Sequence, residues 1–195
     1  MEVVSTNATD SAAGSGVRTI RVTYIDSTNN LVQSAPIAMN GTTPVALGFT
    51  ANQILWFEAI TVGSATESVG IITLRRVVGP VTVCVIRLQS TMSFDAMFMC
   101  PVGYKAYLRE WEGSCIANEQ DLRMLVTANV FDGSINSGVY KEIDNMWLPS
   151  NQRNIHSLKD YRLDALCKAK IATISSSTAA ATRVQAGFKV LLIQD

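Results

Sequence analysis

The sequence predicts an all-β protein: a two-sheet antiparallel β-sandwich, of jelly-roll type, with a flexible N-terminal arm. Many short segments alternate apolar and polar residues, and polar turns separate them at intervals of roughly 8–12 residues, as in sandwich domains. No segment sustains a helical period, and no strand–helix–strand rhythm appears. An antiparallel sandwich therefore fits the chain better than any helical or parallel architecture.

Residues 1–16 are small and polar and end in Ala12-Ala13-Gly14-Ser15-Gly16. This composition predicts a flexible arm, which either orders on a partner or is simply a frayed terminus. Residues 17–195 are predicted to form a single β-sandwich domain, a length common for such folds. The break at Pro101-Val102-Gly103 leaves two half-sandwiches as the alternative.

In the first half of the chain, strands are predicted at 17–26, 31–39, 43–47, 70–76 and 81–88. The best alternation is at 17–26, where Ile20, Val22 and Tyr24 share one face. Asn40-Gly41 indicates a tight turn, and Pro36 an edge strand or a bulge. Residues 51–62 are ambiguous, since 52–58 could form a helical turn before a strand.

In the second half, an apolar stretch occupies 96–100, and strands are predicted at 104–112, 122–131, 137–146, 161–174 and 183–193. Residues 151–159 are predicted to be a long polar connection that contains His156.

The chain has 16 basic and 16 acidic residues, so its formal net charge is zero. A nucleic-acid binder would show a basic excess or stripe, and the longest basic run is Arg75-Arg76. No apolar run approaches the ~20 residues of a membrane helix. We therefore expect neither a nucleic acid nor a membrane as partner.

Charged residues make up only 16% of the chain, against roughly 25% in ordinary soluble domains, and the mean hydropathy is +0.20. Either neighbouring subunits cover much of the surface, or Ser, Thr and Asn replace charges on it. These two interpretations remain open.

Four cysteines, Cys84, Cys100, Cys115 and Cys167, are widely spaced and lie in apolar contexts. Such cysteines usually behave as small hydrophobic residues. With no basic, apolar leader at residues 1–5, we expect reduced core thiols, no disulfide, and synthesis in a cytoplasm.

Candidate catalytic and metal-binding residues are few. His156 is the only histidine, and no nucleophile elbow accompanies it. Glu110 and Glu112 share a strand face, which a glycosidase pair of carboxyl groups requires, but nearby basic residues favour a solvated face. Residues 132–136 resemble a calcium loop without its terminal acid, so a hairpin turn is preferred. We predict no catalytic residues, no metal site, no cofactor and no enzymatic activity.

Trp111 and Trp147 flank polar turns and are the tentative interface residues. Tryptophan is enriched among the residues that dominate binding energy. Packing in the core is the alternative for both.

Five segments in this order resemble a group of virion structural proteins from tailed phages and large DNA viruses of aquatic microbes. They are VRTIRVTYID (17–26), IAMNGTTPVAL (37–47), VGIITLR (69–75), CPVGYKAYL (100–108) and AGFKVLLI (186–193). The chain departs from the pattern at Cys100, where a small or apolar residue is usual, and in the short loop after Gly63.

The resemblance implies a non-enzymatic β-sandwich component of the virion, most simply a capsid decoration or minor capsid (cement) protein. Its partners would then be the major capsid protein and other virion proteins. We expect a homo-oligomer, with a trimer favoured because decoration places subunits around local three-fold points. The alternative is a receptor- or glycan-binding module of a phage tail, fibre or spike.

Overall fold

The computed structural model describes residues 1–93, 97–116, 122–129, 140–148, 152–174 and 183–194. Within these ranges the protein is all-β, built of several antiparallel sheets, as the sequence predicts. No helix long and apolar enough to cross a membrane is found in them. The chain forms two compact units, residues 1–94 and 95–195, where one sandwich domain was expected.

The first unit contains eight strands in its described residues. They are β1 (Glu2–Ser5), β2 (Val17–Asp26), β3 (Leu31–Gln33), β4 (Ile37–Ala38), β5 (Val45–Ala46), β6 (Ala51–Val62), β7 (Ile72–Arg75) and β8 (Thr82–Ile86). One sheet has the order β5-β1-β7-β8. In the other, β2 pairs with β3, β4 and β6. Buried side chains from both sheets, among them Val3, Val22, Phe57 and Leu74, form one core.

The best-patterned elements of this unit lie where the sequence places them. Strand β2 has the predicted bounds, and Ile20, Val22 and Tyr24 are all buried. The predicted strand 31–39 is instead two short strands, β3 and β4, with Pro36 between them. Proline cannot donate to the strand ladder, which explains the break. Gly41 has a φ of 57°, as the tight-turn signal requires.

Residues 52–58 are a strand and not a helical turn. They lie within β6, which pairs antiparallel with β2 over its length, and Phe57 lies opposite Val22. Ile54 and Phe57 are buried in the core, whereas Trp56 is exposed. Pairing with β2 and burial of these side chains decide the conformation here, and local propensity does not.

Residues 1–16 are not a flexible arm. Strand β1 lies between β5 and β7 in its sheet, and Val3 is fully buried. A bridge also joins Ser11 to Asn40. The composition of small polar residues predicts a solvated chain. In the structure, polar side chains of this segment instead accept hydrogen bonds from nearby backbone N–H groups.

The second unit contains seven strands in its described residues. They are β9 (Met97–Met99), β10 (Tyr104–Ile116), β11 (Leu122–Asn129), β12 (Tyr140–Leu148), β13 (Gln152–Leu163), β14 (Lys168–Ile174) and β15 (Arg183–Gln194). One sheet has the order β13-β10-β15 and the other β12-β11-β14-β9. Two core clusters join these sheets. Trp111 of the first sheet packs in one cluster with Val126 of the second, and Leu108 packs in the other with Ala169.

Residues 152–163 form strand β13, although 151–159 were predicted to be a polar connection. The strand lies at the end of its sheet, and residues 153–157 are all exposed. An edge strand with so much solvent contact lacks the apolar alternation by which a strand is recognised. The predicted strand 161–174 accordingly divides between β13 and β14. The turn at 132–136 lies outside the described residues.

Three cysteines, Cys84, Cys100 and Cys167, are buried, as their apolar contexts predict. The thiol of Cys100 donates to the carbonyl oxygen of Tyr104 at 3.2 Å. The side chain of Cys115 lies outside the described residues. The absence of a disulfide stays a prediction.

Candidate interaction surface

The two tentative interface tryptophans lie in opposite environments. Trp111, on β10, is fully buried, and its indole belongs to a core cluster of the second unit. It cannot contact a partner without unfolding, so core packing is its role. Trp147, on β12, is 60% exposed. Only Trp147 therefore remains as a candidate anchor.

Trp147 lies on the last strand in its sheet order, β12. Along β12 the exposed residues Asn145 and Trp147 alternate with the inward residues Asp144 and Met146. An edge strand presents unpaired backbone groups, and an exposed indole beside them adds a large apolar contact. This combination is typical of a surface that a partner covers.

Asp144 joins the two sheets of the second unit through a small polar cluster with Trp111 and His156. Its Oδ2 accepts a hydrogen bond from Trp111 Nε1 at 2.8 Å and lies 2.6 Å from His156 Nδ1. The indole and imidazole rings meet edge to face, with centroids 6.3 Å apart. The cluster thereby gives the buried indole N–H its acceptor and fixes the imidazole ring.

Opposing effects act on the pKa of Asp144. Partial burial raises it, but hydrogen bonds from Trp111, His156 and the Asn145 backbone, with the charge of His156, hold the pKa of Asp144 below its ordinary value. The carboxylate thus stays ionised and serves as an acceptor across the sheet interface.

A carboxylate beside a histidine is two-thirds of a hydrolytic triad, but no hydroxyl or thiol bonds to His156 among the residues that the structure describes. Such a triad also requires a nucleophile within hydrogen-bond distance of the other imidazole nitrogen. The geometry here orients an exposed imidazole without supplying that group.

Glu110 and Glu112 each form an ion pair. Lys189 Nζ lies 2.6 Å from Glu110 Oε2, and Arg153 pairs with Glu112. These contacts agree with the solvated strand face that the neighbouring basic residues indicated. Among the described residues, no group of three or more potential metal ligands is found.

A second exposed apolar surface lies in the first unit, on the β7–β8 hairpin. Val77, Val78 and Val81 are 54%, 89% and 57% exposed, and Gly79 takes a φ of 57° at the turn. Burial of such apolar side chains at a hairpin tip would lower the free energy, because it removes apolar surface from water. We name this surface, residues 77–81, the valine tip.

Neither Asp144 nor the valine tip appears among the predicted site residues. Asp144 is 33 residues from Trp111 in the chain, so only the packing of β12 on β10 brings them together. The valine tip was visible as Val77-Val78-Gly79-Pro80-Val81, an apolar run at a turn signal.

Comparison of the chain with family models, with curated proteins and with solved structures finds no match.

Proposed function

We propose that this chain is a non-enzymatic structural protein of a virion, a capsid decoration or minor capsid protein that binds the major capsid protein. The observation that supports this most is Trp147, a large aromatic side chain 60% exposed on an edge strand. The low content of charged residues agrees, because interface centres are depleted in charge. Five segments also resemble virion structural proteins in the same order along the chain, and this resemblance supports a role in a virion.

The proposed architecture is a two-sheet sandwich in each unit. In both units, buried side chains of two antiparallel sheets share their core clusters, which is the packing that a sandwich requires. An experimental structure should show the paired sheets about 10 Å apart. The jelly-roll connection stays part of the proposal.

The proposed assembly is a homo-oligomer in the particle, with a trimer favoured by local three-fold symmetry. The valine tip and Trp147 are the described surfaces whose burial would stabilise such contacts. A map of the particle with isolated, non-touching copies would contradict this assembly.

Incorporation of variants into particles tests the proposed role of Trp147. Trp147→Ala should fold normally and yet be depleted from purified particles, because an anchor residue carries much of an interface's free energy. Trp56→Ala is the matched control, since Trp56 is also an exposed strand tryptophan, 43% exposed, in the other unit. Normal incorporation of Trp147→Ala would exclude a decisive role for this residue.

A further inference from the structure

The sheet β13-β10-β15 contains an unusual irregularity at Arg109. The register of β13 against β10 shifts there, so Arg109 alone faces residues 158–160 of β13. The register of β15 against β10 shifts at the same place, which leaves Arg109 as an extra residue on that side too. Bulges redirect side chains and are enriched beside functional sites.

The bulged residues of β13 have a strained backbone. Lys159 has a φ of 51° and Asp160 a φ of 59°, both in the left-handed region. This region disfavours side chains with a Cβ, and glycine would occupy it without penalty. Two consecutive charged residues in this region destabilise the folded state. Backbone strain of this kind is found most often at functional sites.

The bulge borders an open cleft of about 430 Å³, which we name the bulge cleft. Its volume lies in the range of small-molecule sites, roughly 300–1,000 Å³. It is lined entirely by polar and charged residues: Arg109, Glu110, Ser157, Lys159, Asp160 and Lys189.

Two ion pairs within the cleft leave hydrogen-bond donors unused. Arg109 Nε lies 2.9 Å from Asp160 Oδ1, and Lys189 Nζ lies 2.6 Å from Glu110 Oε2. A guanidinium has five N–H donors and an ammonium three, so each cation can still bind a ligand. The ammonium of Lys159 has no carboxylate partner among the described residues.

The charge of the cleft fits a ligand with one negative charge. Three cations and two carboxylates line it, which leaves a net charge of +1. A phosphate monoester carries about −1.5 to −2 and offers mainly acceptors, so Glu110 and Asp160 would repel it. The same carboxylates, with the Ser157 hydroxyl, would accept hydrogen bonds from the hydroxyls of a sugar.

We propose that the bulge cleft binds an acidic sugar, with the sugar carboxylate on Lys159 and Arg109 and its hydroxyls on Glu110 and Ser157. This site is independent of the valine tip and of Trp147. It goes beyond a structural role in the virion and gives the alternative of a glycan-binding module a specific ligand class. Its test uses isolated protein, so failure would leave the proposed virion function intact.

Amide chemical shifts of the full-length protein, titrated with sodium glucuronate, provide the test. We expect weak, saturable shifts confined to the cleft residues, no saturable shift with glucose, and weaker binding of inorganic phosphate. Lys159→Gln should weaken glucuronate binding about tenfold, which corresponds to the loss of roughly 1.4 kcal/mol. The matched control is Arg76→Gln, an exposed cation of the first unit, which should change nothing.

Glu110→Ala separates a sugar site from a simple anion site. It should weaken glucuronate binding, because a hydroxyl acceptor is lost, and strengthen phosphate binding, because a repelling charge is removed. Stronger binding of both ligands by Glu110→Ala would overturn the proposal, as would equal affinities of the wild-type protein for glucuronate and phosphate. Absence of any saturable glucuronate shift would also overturn it.

Discussion

Asp10 is the residue that holds the N-terminal segment in place. It is fully buried, and its carboxylate accepts hydrogen bonds from Ser5 Oγ at 2.6 Å and from three backbone N–H groups at 2.8–3.1 Å, those of Val17, Val69 and Gly70. A buried carboxylate is tolerated only when it is this fully bonded. The segment is therefore part of the core of the first unit.

Replacing Asp10 by Ala should destabilise the protein by about 3–5 kcal/mol, because three backbone N–H groups, two of them in buried hydrogen bonds, would lose their acceptor. Denaturant unfolding measures this loss. Asp26→Ala is the matched control: Asp26 also accepts two backbone hydrogen bonds, but in an exposed turn where water can replace the carboxylate. Similar stability losses in the two variants would contradict the role assigned to Asp10.

Asp144 predicts an acid-dependent stability. Its pKa is lowered below the ordinary value of 3.8 in the folded protein, so the folded state binds fewer protons there than the unfolded state. Its contribution is therefore fully present above that ordinary value and is lost as pH falls through the folded pKa. Asp144→Asn should cost about 1–3 kcal/mol at neutral pH.

The difference in unfolding free energy between wild type and Asp144→Asn should shrink below about pH 4. Asp164→Asn is the control, because Asp164 forms an ion pair with Arg162 in which both side chains are more than half exposed. Exposed pairs of this kind contribute about 0–1 kcal/mol. A difference for Asp144→Asn that stayed constant down to pH 2 would contradict the assignment.

At the scale of elements, β10 and β12 place two tryptophans in opposite roles. Trp111→Ala should destabilise the second unit by about 3–5 kcal/mol, as truncation of a buried aromatic does. Trp147→Ala should change stability by no more than about 0.5 kcal/mol. Thermal unfolding of both variants tests this, and a large loss for Trp147→Ala would place its indole in the core.

Strands with regular alternation of apolar and polar residues, and turns with characteristic residues, could be predicted from the sequence. Strand β2 was predicted with its observed bounds, and the β7–β8 hairpin was predicted at nearly the observed place. Strand β13 was not recognised, because an exposed edge strand has no apolar face to reveal it. Its bulge, and hence the cleft, depends on pairing with β10, which no local pattern encodes.

At the scale of the whole molecule, each unit has its own core. The cluster of the first unit draws only on residues before position 87, and the clusters of the second unit only on residues after position 97. A fragment of residues 1–94 should therefore unfold cooperatively when expressed alone, since the core cluster of the first unit is built from its own residues. Circular dichroism with urea titration measures this.

A fragment that was unstructured in water would show that the first unit requires the second. The fragment carrying Asp10→Ala is the internal control, because it should lower the midpoint if the native hydrogen bonds of Asp10 are present.

The structural role of residues 1–16 depends on partners that are distant in the sequence. Hydrogen bonds from the N-terminal segment run to residues 69–71 and 41, far along the chain. A composition of small polar residues is equally compatible with a solvated arm and with a segment that is hydrogen-bonded to the rest of the unit. Only the three-dimensional positions of the distant hydrogen-bond donors and acceptors distinguish them.

The most direct test of the central proposal is the location and copy number of this chain in purified particles, measured by quantitative mass spectrometry and cryo-electron microscopy. The account predicts density on or between major capsid subunits, with a copy number in fixed proportion to that of the capsid protein. Absence of the chain from intact particles would contradict it. Density confined to a tail, fibre or spike would replace it with the alternative function.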